Sequence, residues 1–280
     1  MSPPDWVRPV GLDVEVLRGI RGPSTTTAAL LTRIEEHLER WQGYVAFSGG
    51  KDSLVVLDLA RRVEPQVPVV FFDSGLEYPQ TYPYLEDLAA RWRLNLRIID
   101  ADPPLLTLLT HGGRWDHHAP IRDTGAGTIQ DALISRPAAA AHNDHGPGEV
   151  WGVRGGESAG RRIAYAKALA GLHCGCCATP GQRRDRHGGI LHRRDGTVAY
   201  GPIWDWPTRE VWAHIAREQL PLNPVYGILR RIGAPEDALR ISHLIDGGRL
   251  ENGRLTWLRR GWPDLFDELA TLLPRIREFV

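Results

Sequence analysis

At 280 residues the chain is long enough for one large α/β domain or two small ones. Lys+Arg and Asp+Glu both number 34, a formal net charge of zero, which excludes gripping nucleic acid or an anionic membrane by bulk charge alone but leaves local basic patches open. With 42% hydrophobic and 24% charged residues, no apolar run near the ~20 residues that span a bilayer, and an N-terminus (MSPPDWVRPV) without signal-peptide layout, the sequence reads as a soluble cytoplasmic protein with no membrane partner.

Residues 24–41 predict a capped amphipathic helix, with Leu30, Leu31, Ile34 and Leu38 as its apolar stripe. A short apolar run, Tyr44 to Phe47, then leads into Ser48-Gly49-Gly50-Lys51-Asp52-Ser53 and a helical stretch over 54–63. A second run, Val67 to Phe72, ends at Asp73-Ser74-Gly75 and is followed by a helix over 78–92. A third, Leu96 to Ile99, ends at Asp100, and a fourth, Glu149 to Arg154, precedes a helix over 158–170. Apolar strands alternating with helices predict an α/β fold, a doubly wound, mostly parallel sheet covered on both faces. In such sheets ligands bind past the carboxyl ends of the strands, where this sequence places SGGKDS, DSG, DADPP and RGGES. Residues 111–148, mixing Gly, Pro, Ala and His, predict an excursion around one short helix near 127–136. From about 204 the signals are mainly helical, at 207–219, 224–232, 235–246 and 262–279. The expected organisation is an α/β nucleotide-binding domain over 1–203 and a helical C-terminal part over 204–280 packed on it.

Two counts stand out. Of the 34 basic residues only Lys51 and Lys167 are lysine, so a retained lysine marks a place where a compact ammonium is needed rather than a planar fork. All three cysteines, Cys174, Cys176 and Cys177, lie in one tetrapeptide, which points to metal or redox chemistry rather than a disulfide framework.

The strand–SGGKDS–helix arrangement is built for an anion. Gly49 and Gly50 let the backbone approach a ligand, the helix start offers unpaired N–H donors, Ser48 and Ser53 add hydroxyls, and Lys51 adds a cation. It is neither the Walker A pattern nor the GxGxxG of dinucleotide folds.

Residues 48–53 match in full the SGGxDS signature of the PP-loop ATP pyrophosphatases, and the chain resembles that superfamily over about 44–232. Three further segments are similar to its phosphoadenylylsulfate (PAPS) reductase branch. They are Phe72-Asp73-Ser74-Gly75 running to Thr81, where serine replaces the usual threonine, Gly152-Val153-Arg154-Gly155-Gly156-Glu157-Ser158 running to Arg161, and Pro202 to Tyr226. The resemblance implies an adenine nucleotide alpha hydrolase-like fold and a loop that binds the β,γ-pyrophosphate of ATP. Attack at the α-phosphorus, aided by Mg2+, would release pyrophosphate and leave an adenylated acceptor. Carried over residue by residue, Ser48, Lys51, Asp52 and Asp73 are the catalytic candidates. Ser48, Gly49, Gly50, Lys51, Asp52, Ser53, Asp73, Gly75, Arg154, Glu157 and Arg161 are the nucleotide-binding ones. Arg154, past a strand end, is read as a contact to phosphate or sulfate oxygens ahead of a plain ion pair with Glu157, and Asp73 is read as a helix cap or as a residue that helps hold magnesium or orients the nucleotide. The Trp/Pro/Tyr set over 204–226 is read as core packing.

Reductases of this branch use a catalytic cysteine in a motif similar to E-C-G-(I/L)-H near the C-terminus, whereas here no cysteine follows Cys177. The favoured expectation is therefore an ATP pyrophosphatase that activates an acceptor for sulfur insertion, first in DNA phosphorothioation, with a PAPS or APS reductase or a tRNA-thiolating enzyme as alternatives. A cysteine desulfurase would supply the sulfur, DNA would be the partner before tRNA within a DNA-modification complex, and a homodimer is compatible with this. Cys174, Cys176 and Cys177 suit an iron–sulfur cluster, or zinc completed by His173, His187 or His192, or a persulfide. Arginine clusters at 183–186, 193–194, 230–231 and 259–260 are candidates for a nucleic-acid groove or for plain solvated surface.

Overall fold

The computed structural model describes residues 27–112, 128–171, 177–242, 244–245 and 254–280. A six-stranded sheet runs in the order β3-β2-β1-β4-β6-β5. Its strands are β1 (Gly43–Ala46), β2 (Pro68–Asp73), β3 (Asn95–Asp100), β4 (Gly148–Trp151), β5 (Ile190–His192) and β6 (Val198–Tyr200). Every pairing is parallel except β5 with β6. The chain winds outward from β1 through β2 to β3, then returns to lay β4 on the other side of β1. The strand order thus reverses between β1 and β4, the point at which doubly wound sheets open a crevice at their carboxyl ends. The architecture is the doubly wound, mostly parallel α/β sheet that the alternation of apolar strands and helices predicts.

Side-chain alternation along the strands sorts the two faces. Val45, Val69, Phe71 and Val150 face a large core shared with Leu30 and Ile34 of α1 (Thr27–Trp41) and with α2 (Lys51–Val63). Tyr44, Val70 and Phe72 face the other way and pack on Ala141. Helix α2 buries Leu54 through Ala60 without interruption, as a helix enclosed on all sides must. Helices α3 (Thr81–Trp92) and α4 (Leu105–Gly112) add Tyr84, Leu85, Leu88, Leu105 and Leu109 to the same core. The C-terminal residues join the same core through Val211, Trp212, Leu255, Phe266 and Ile276.

Strands β1 to β4 fall within a residue or two of their sequence-predicted positions, save that β4 ends at Trp151, short of Arg154, while β5 and β6 have no predicted counterpart. Helix α2 begins at Lys51, three residues before the apolar spacing alone indicates. Within the 111–148 excursion, residues 113–127 lie outside the described ones. From Asp131 a π-helical turn leads into α5 (Arg136–His145), longer than the short helix expected there. Four consecutive alanines, 138–141, carry it onward, since alanine is the strongest helix former. After α6 (Ala159–Ala170) and α7 (Pro180–His187) come α8 (Thr208–Arg217) and α9 (Pro224–Arg231).

Two expected C-terminal helices are corrected. Among the described residues of 235–246 the chain makes only a 3-10 turn, Glu236–Ala238, and leaves helical geometry at Leu239. Burial of Leu239, Ile241, Leu244 and Ile245 in the core overrides the helical spacing there. The 262–279 helix is two pieces, α11 (Pro263–Leu272) and a 3-10 segment, Pro274–Phe279, preceded by α10 (Arg254–Gly261). Pro263 and Pro274 each restart the chain at a first helical position, where the missing N–H costs nothing.

Candidate functional site

The loop Ser48–Ser53 sits between the end of β1 and the start of α2. The Phe47 N–H donates to the Val70 carbonyl at 2.9 Å, so the β1–β2 ladder holds the chain straight up to the turn. Gly49 then takes φ +71°, a conformation nearly closed to residues with a Cβ. The Ser53 hydroxyl donates to the Gly50 carbonyl at 3.0 Å, accepts from the Ser48 N–H at 3.2 Å, and lies 3.1 Å from the Ser48 hydroxyl. The two serines differ in setting: Ser53 is buried and ties the loop, whereas Ser48 is exposed and can present its hydroxyl to a ligand.

The segment after β4 closes against the other side of this loop. A Cβ on Gly152 would stand 2.5 Å from the Ser53 nitrogen and 2.7 Å from the Asp52 carbonyl carbon, so only glycine permits this approach. Two residues on, Arg154 is 4% exposed. Its Nε donates to Asp52 Oδ1 at 2.6 Å, while the remaining nitrogens donate to the Trp206 carbonyl at 3.0 Å and the Thr208 hydroxyl at 3.4 Å. Asp52 Oδ2 accepts from Lys51 Nζ at 2.9 Å. Two cations thus share one carboxylate, a local excess of positive charge on the first turn of α2, where the helix dipole already favours an anion.

The structure therefore brings Ser48, Gly49, Gly50, Lys51, Asp52, Ser53 and Arg154 together. Glu157 is not the ion-pair partner of the Arg154 guanidinium. Its carboxylate accepts from the Arg154 backbone N–H at 3.0 Å and pairs with Arg161. Arg161 is exposed at the start of α6. Asp73 ends β2, the strand beside β1, and its Oδ1 accepts from the Gly75 N–H at 2.8 Å and the Tyr82 hydroxyl at 2.9 Å. Of the cysteines, Cys174 and Cys176 lie outside the described residues together with His173, and Cys177 is half-buried just before α7. His187 ends α7, and His192 lies in β5 with its ring 5.7 Å from that of Trp41. Among the described residues no three metal-binding side chains gather.

Several contacts at the loop escape sequence reasoning. The Tyr226 hydroxyl accepts from the Lys51 N–H at 2.9 Å, and burial holds its ionisation well above the ordinary tyrosine range. Asn223 caps α9 through the Val225 N–H at 3.0 Å, which places Tyr226. The Asn223-Pro224 pair signals that helix start, but nothing in the sequence aims Tyr226 at residue 51. Near Asp73, Glu77 accepts from the Ser74 hydroxyl at 2.6 Å. Burial pushes the Glu77 carboxyl up to about 7, with the Ser74 hydrogen bond pulling against it and the charge on Asp73 adding to it.

Comparison with known proteins finds the phosphoadenosine phosphosulfate reductase domain matched by residues 42–114, a stretch that contains the loop, Asp73 and Gly75. The phosphoadenosine 5'-phosphosulfate reductase of Xylella fastidiosa (strain M12) is 26% identical over 181 residues, covering 64% of this chain and 65% of its own length. The match thus spans just under two thirds of that relative. Among solved structures, the PAPS reductase of Candida auris in a phosphate complex overlaps with a TM-score of 0.46 at 17% identity, over 73% of this chain and 93% of its own. The NH3-dependent NAD synthetase of Campylobacter jejuni gives 0.45 at 14% identity, over 96% and 95%. The SGGKDS loop, seated at the switch point of the sheet, thus lies inside the stretch that is similar to the phosphoadenosine phosphosulfate reductase domain.

Proposed function

We propose that this chain is an ATP pyrophosphatase that cleaves between the α and β phosphates to adenylate an acceptor for sulfur insertion. One observation carries the reading: the glycine turn, the exposed Ser48 hydroxyl and the Lys51–Asp52–Arg154 cluster converge on the first turn of α2. Such a nest suits a pyrophosphate group, whose negative charge grows as it leaves. Lys51 and the Ser48 hydroxyl meet that charge, while Asp52 holds Lys51 in place against Arg154. Arg154, turned into the protein on three hydrogen bonds, ties the segments after β4 and β6 to the loop. An acceptor oxygen attacks the α-phosphorus and pyrophosphate departs; persulfide sulfur supplied by a cysteine desulfurase then displaces AMP, and a thiol reductant cleaves the resulting S–S bond to free the thiolated acceptor.

Magnesium fits the donor set. Asp73 commits Oδ1 to two hydrogen bonds, and among the described residues its other carboxylate oxygen is left for a hard cation shared with phosphate oxygens. When bound, the ion would supply further charge neutralisation on the leaving group. The thiols of Cys174, Cys176 and Cys177 are of the type that holds an iron–sulfur cluster or zinc. Metal analysis and an absorption scan near 400 nm of anaerobically purified protein separate these from a metal-free persulfide site.

DNA phosphorothioation is the favoured setting, with tRNA thiolation next. Pyrophosphate release from ATP and Mg2+, lost in Ser48→Ala and Asp52→Ala, tests the activity. Mass spectrometry for phosphorothioate dinucleotides, against thionucleosides in tRNA, tests the acceptor. The match to PAPS reductases favours a second reading, cleavage of a sulfonucleotide. Sulfite release from PAPS or APS with thioredoxin, and no pyrophosphate from ATP, would establish it instead.

A further inference from the structure

Between Arg154 and Arg194 the sequence places nine Lys or Arg against two acids, Glu157 and Asp185, in a chain whose formal charge is zero. The fold keeps that excess together, because α6, α7 and β5 are neighbours. Helix α7 has no buried side chain, so burial of an apolar face does not account for it. It is held at its start by a capping box in which the Gln182 N–H donates to the Thr179 hydroxyl at 3.2 Å and the Thr179 N–H donates to Gln182 Oε1 at 3.2 Å. Its other end is anchored by Arg184, which lies 4.7 Å from the Trp204 ring centroid and pairs with Asp205 at 2.9 Å, and by Arg33 donating to the Gly188 carbonyl. Helix α6 buries only Tyr165 among its residues. Arg162, Lys167, Arg186 and Arg194 are exposed, Arg183 is half-buried, and none of the five pairs with a described carboxylate. Their crowding is felt at His187, where burial and then the charges of Arg186, Arg33 and Arg183 lower the imidazole's proton affinity.

Like charges gathered on poorly buried helices repel one another, and an anionic partner removes that cost. We propose that the face formed by α6, α7 and the start of the β5–β6 hairpin binds the phosphate backbone of a polynucleotide. The exposed α7 sequence, PGQRRDRH, offers no large apolar side chain for insertion into lipid. Its cations are arginines, whose planar forks match phosphate oxygens two at a time. The 12 residues of α6 extend about 18 Å, roughly five base steps of a duplex. The face begins at Arg161, four residues after Glu157 bonds the Arg154 backbone, and so runs outward from the loop. This inference rests on the proposed reading and names the class of acceptor that the activated phosphate would meet.

The test uses the whole protein and fluorescein-labelled 20-base-pair DNA, the matching single strand and an RNA hairpin, by anisotropy without ATP at 50–300 mM KCl. Binding of any of the three that weakens with salt is expected. Arg183→Glu/Arg186→Glu and Arg162→Glu/Lys167→Glu should each weaken it at least about tenfold at 100 mM salt and lower the log–log salt slope by about two. Arg277→Glu, on the C-terminal 3-10 segment, should bind as wild type. ATP affinity, measured by calorimetry without polynucleotide, should stay unchanged in all three variants and certifies that they are folded. Absence of salt-dependent binding at 50 mM, wild-type affinity in both reversal variants, or a preference for phosphatidylglycerol vesicles would overturn the proposal. Since polynucleotide and ATP are read separately, loss of one does not imply loss of the other.

Discussion

At the scale of single residues, Arg154 separates two roles that a sequence motif cannot. Its guanidinium is engaged by Asp52, the Trp206 carbonyl and Thr208. Removing one partner of a buried pair strands the other, and such losses cost about 3–5 kcal/mol. Lys51 still covers one oxygen of Asp52, so Arg154→Ala should lose about 3 kcal/mol, the low end of that range, in urea unfolding. Arg154→Lys should recover little of it, because an ammonium cannot span three partners. Were Arg154 only a ligand contact, both variants would unfold within about 0.5 kcal/mol of wild type and change ATP affinity alone. Glu77 supports a second residue-scale prediction. Its folded-state carboxyl titrates near 7 rather than near 4.5, so between those values the native state holds the proton more tightly than the unfolded chain does. Stability from this group is therefore full below about pH 4.5 and falls as pH rises to about 7. Glu77→Gln should flatten that part of the Tm-against-pH curve, and an unchanged slope would show that the buried carboxyl does not titrate there. Lys51, Asp52 and the glycines could be singled out from sequence because their spacing is itself the chemistry. Tyr226 could not, since its hydroxyl reaches residue 51 only once α9 has docked.

At the scale of elements, the close approach of the β4 exit to the α2 start is the most exposed joint of the site. Gly152→Ala would force a Cβ against the backbone at Ser53 and Asp52, atoms that cannot swing aside as a flexible side chain would. The expected cost is about 1–3 kcal/mol, with ATP affinity down at least tenfold by calorimetry. Wild-type affinity in this variant would mean the loop is not fixed from the β4 side. The long apolar strands, Val45 to Ala46 and Val69 to Phe72, were legible because a strand buried on both faces reads as an uninterrupted apolar run. The β5–β6 hairpin was not: each strand is only three residues long and turns at Asp195-Gly196, too short for any periodicity. Helix α7 was equally hidden, since a helix that buries nothing has no apolar stripe to find. Near 239–245 the helical spacing of Leu and Ile misled, because the same residues are buried from a non-helical chain.

At the scale of the whole molecule, the strand order places the loop where the winding reverses, and this determines what the chain can bind better than any single contact does. The doubly wound class followed from alternating strands and helices, but the position of β4 beside β1 needed three dimensions, because pairing order is not written in local sequence. The same order sets the PAPS-reductase-like segments after β1, β2 and β4 along one carboxyl edge. On the proposed reading the 48–53 loop holds the leaving pyrophosphate of a bound ATP. Product analysis of ATP incubated with the whole protein, Mg2+ and a polynucleotide acceptor tests it most directly. AMP and pyrophosphate are expected in equal amounts, both abolished in Asp52→Ala. ADP and orthophosphate, or pyrophosphate release that survives that substitution, would contradict it.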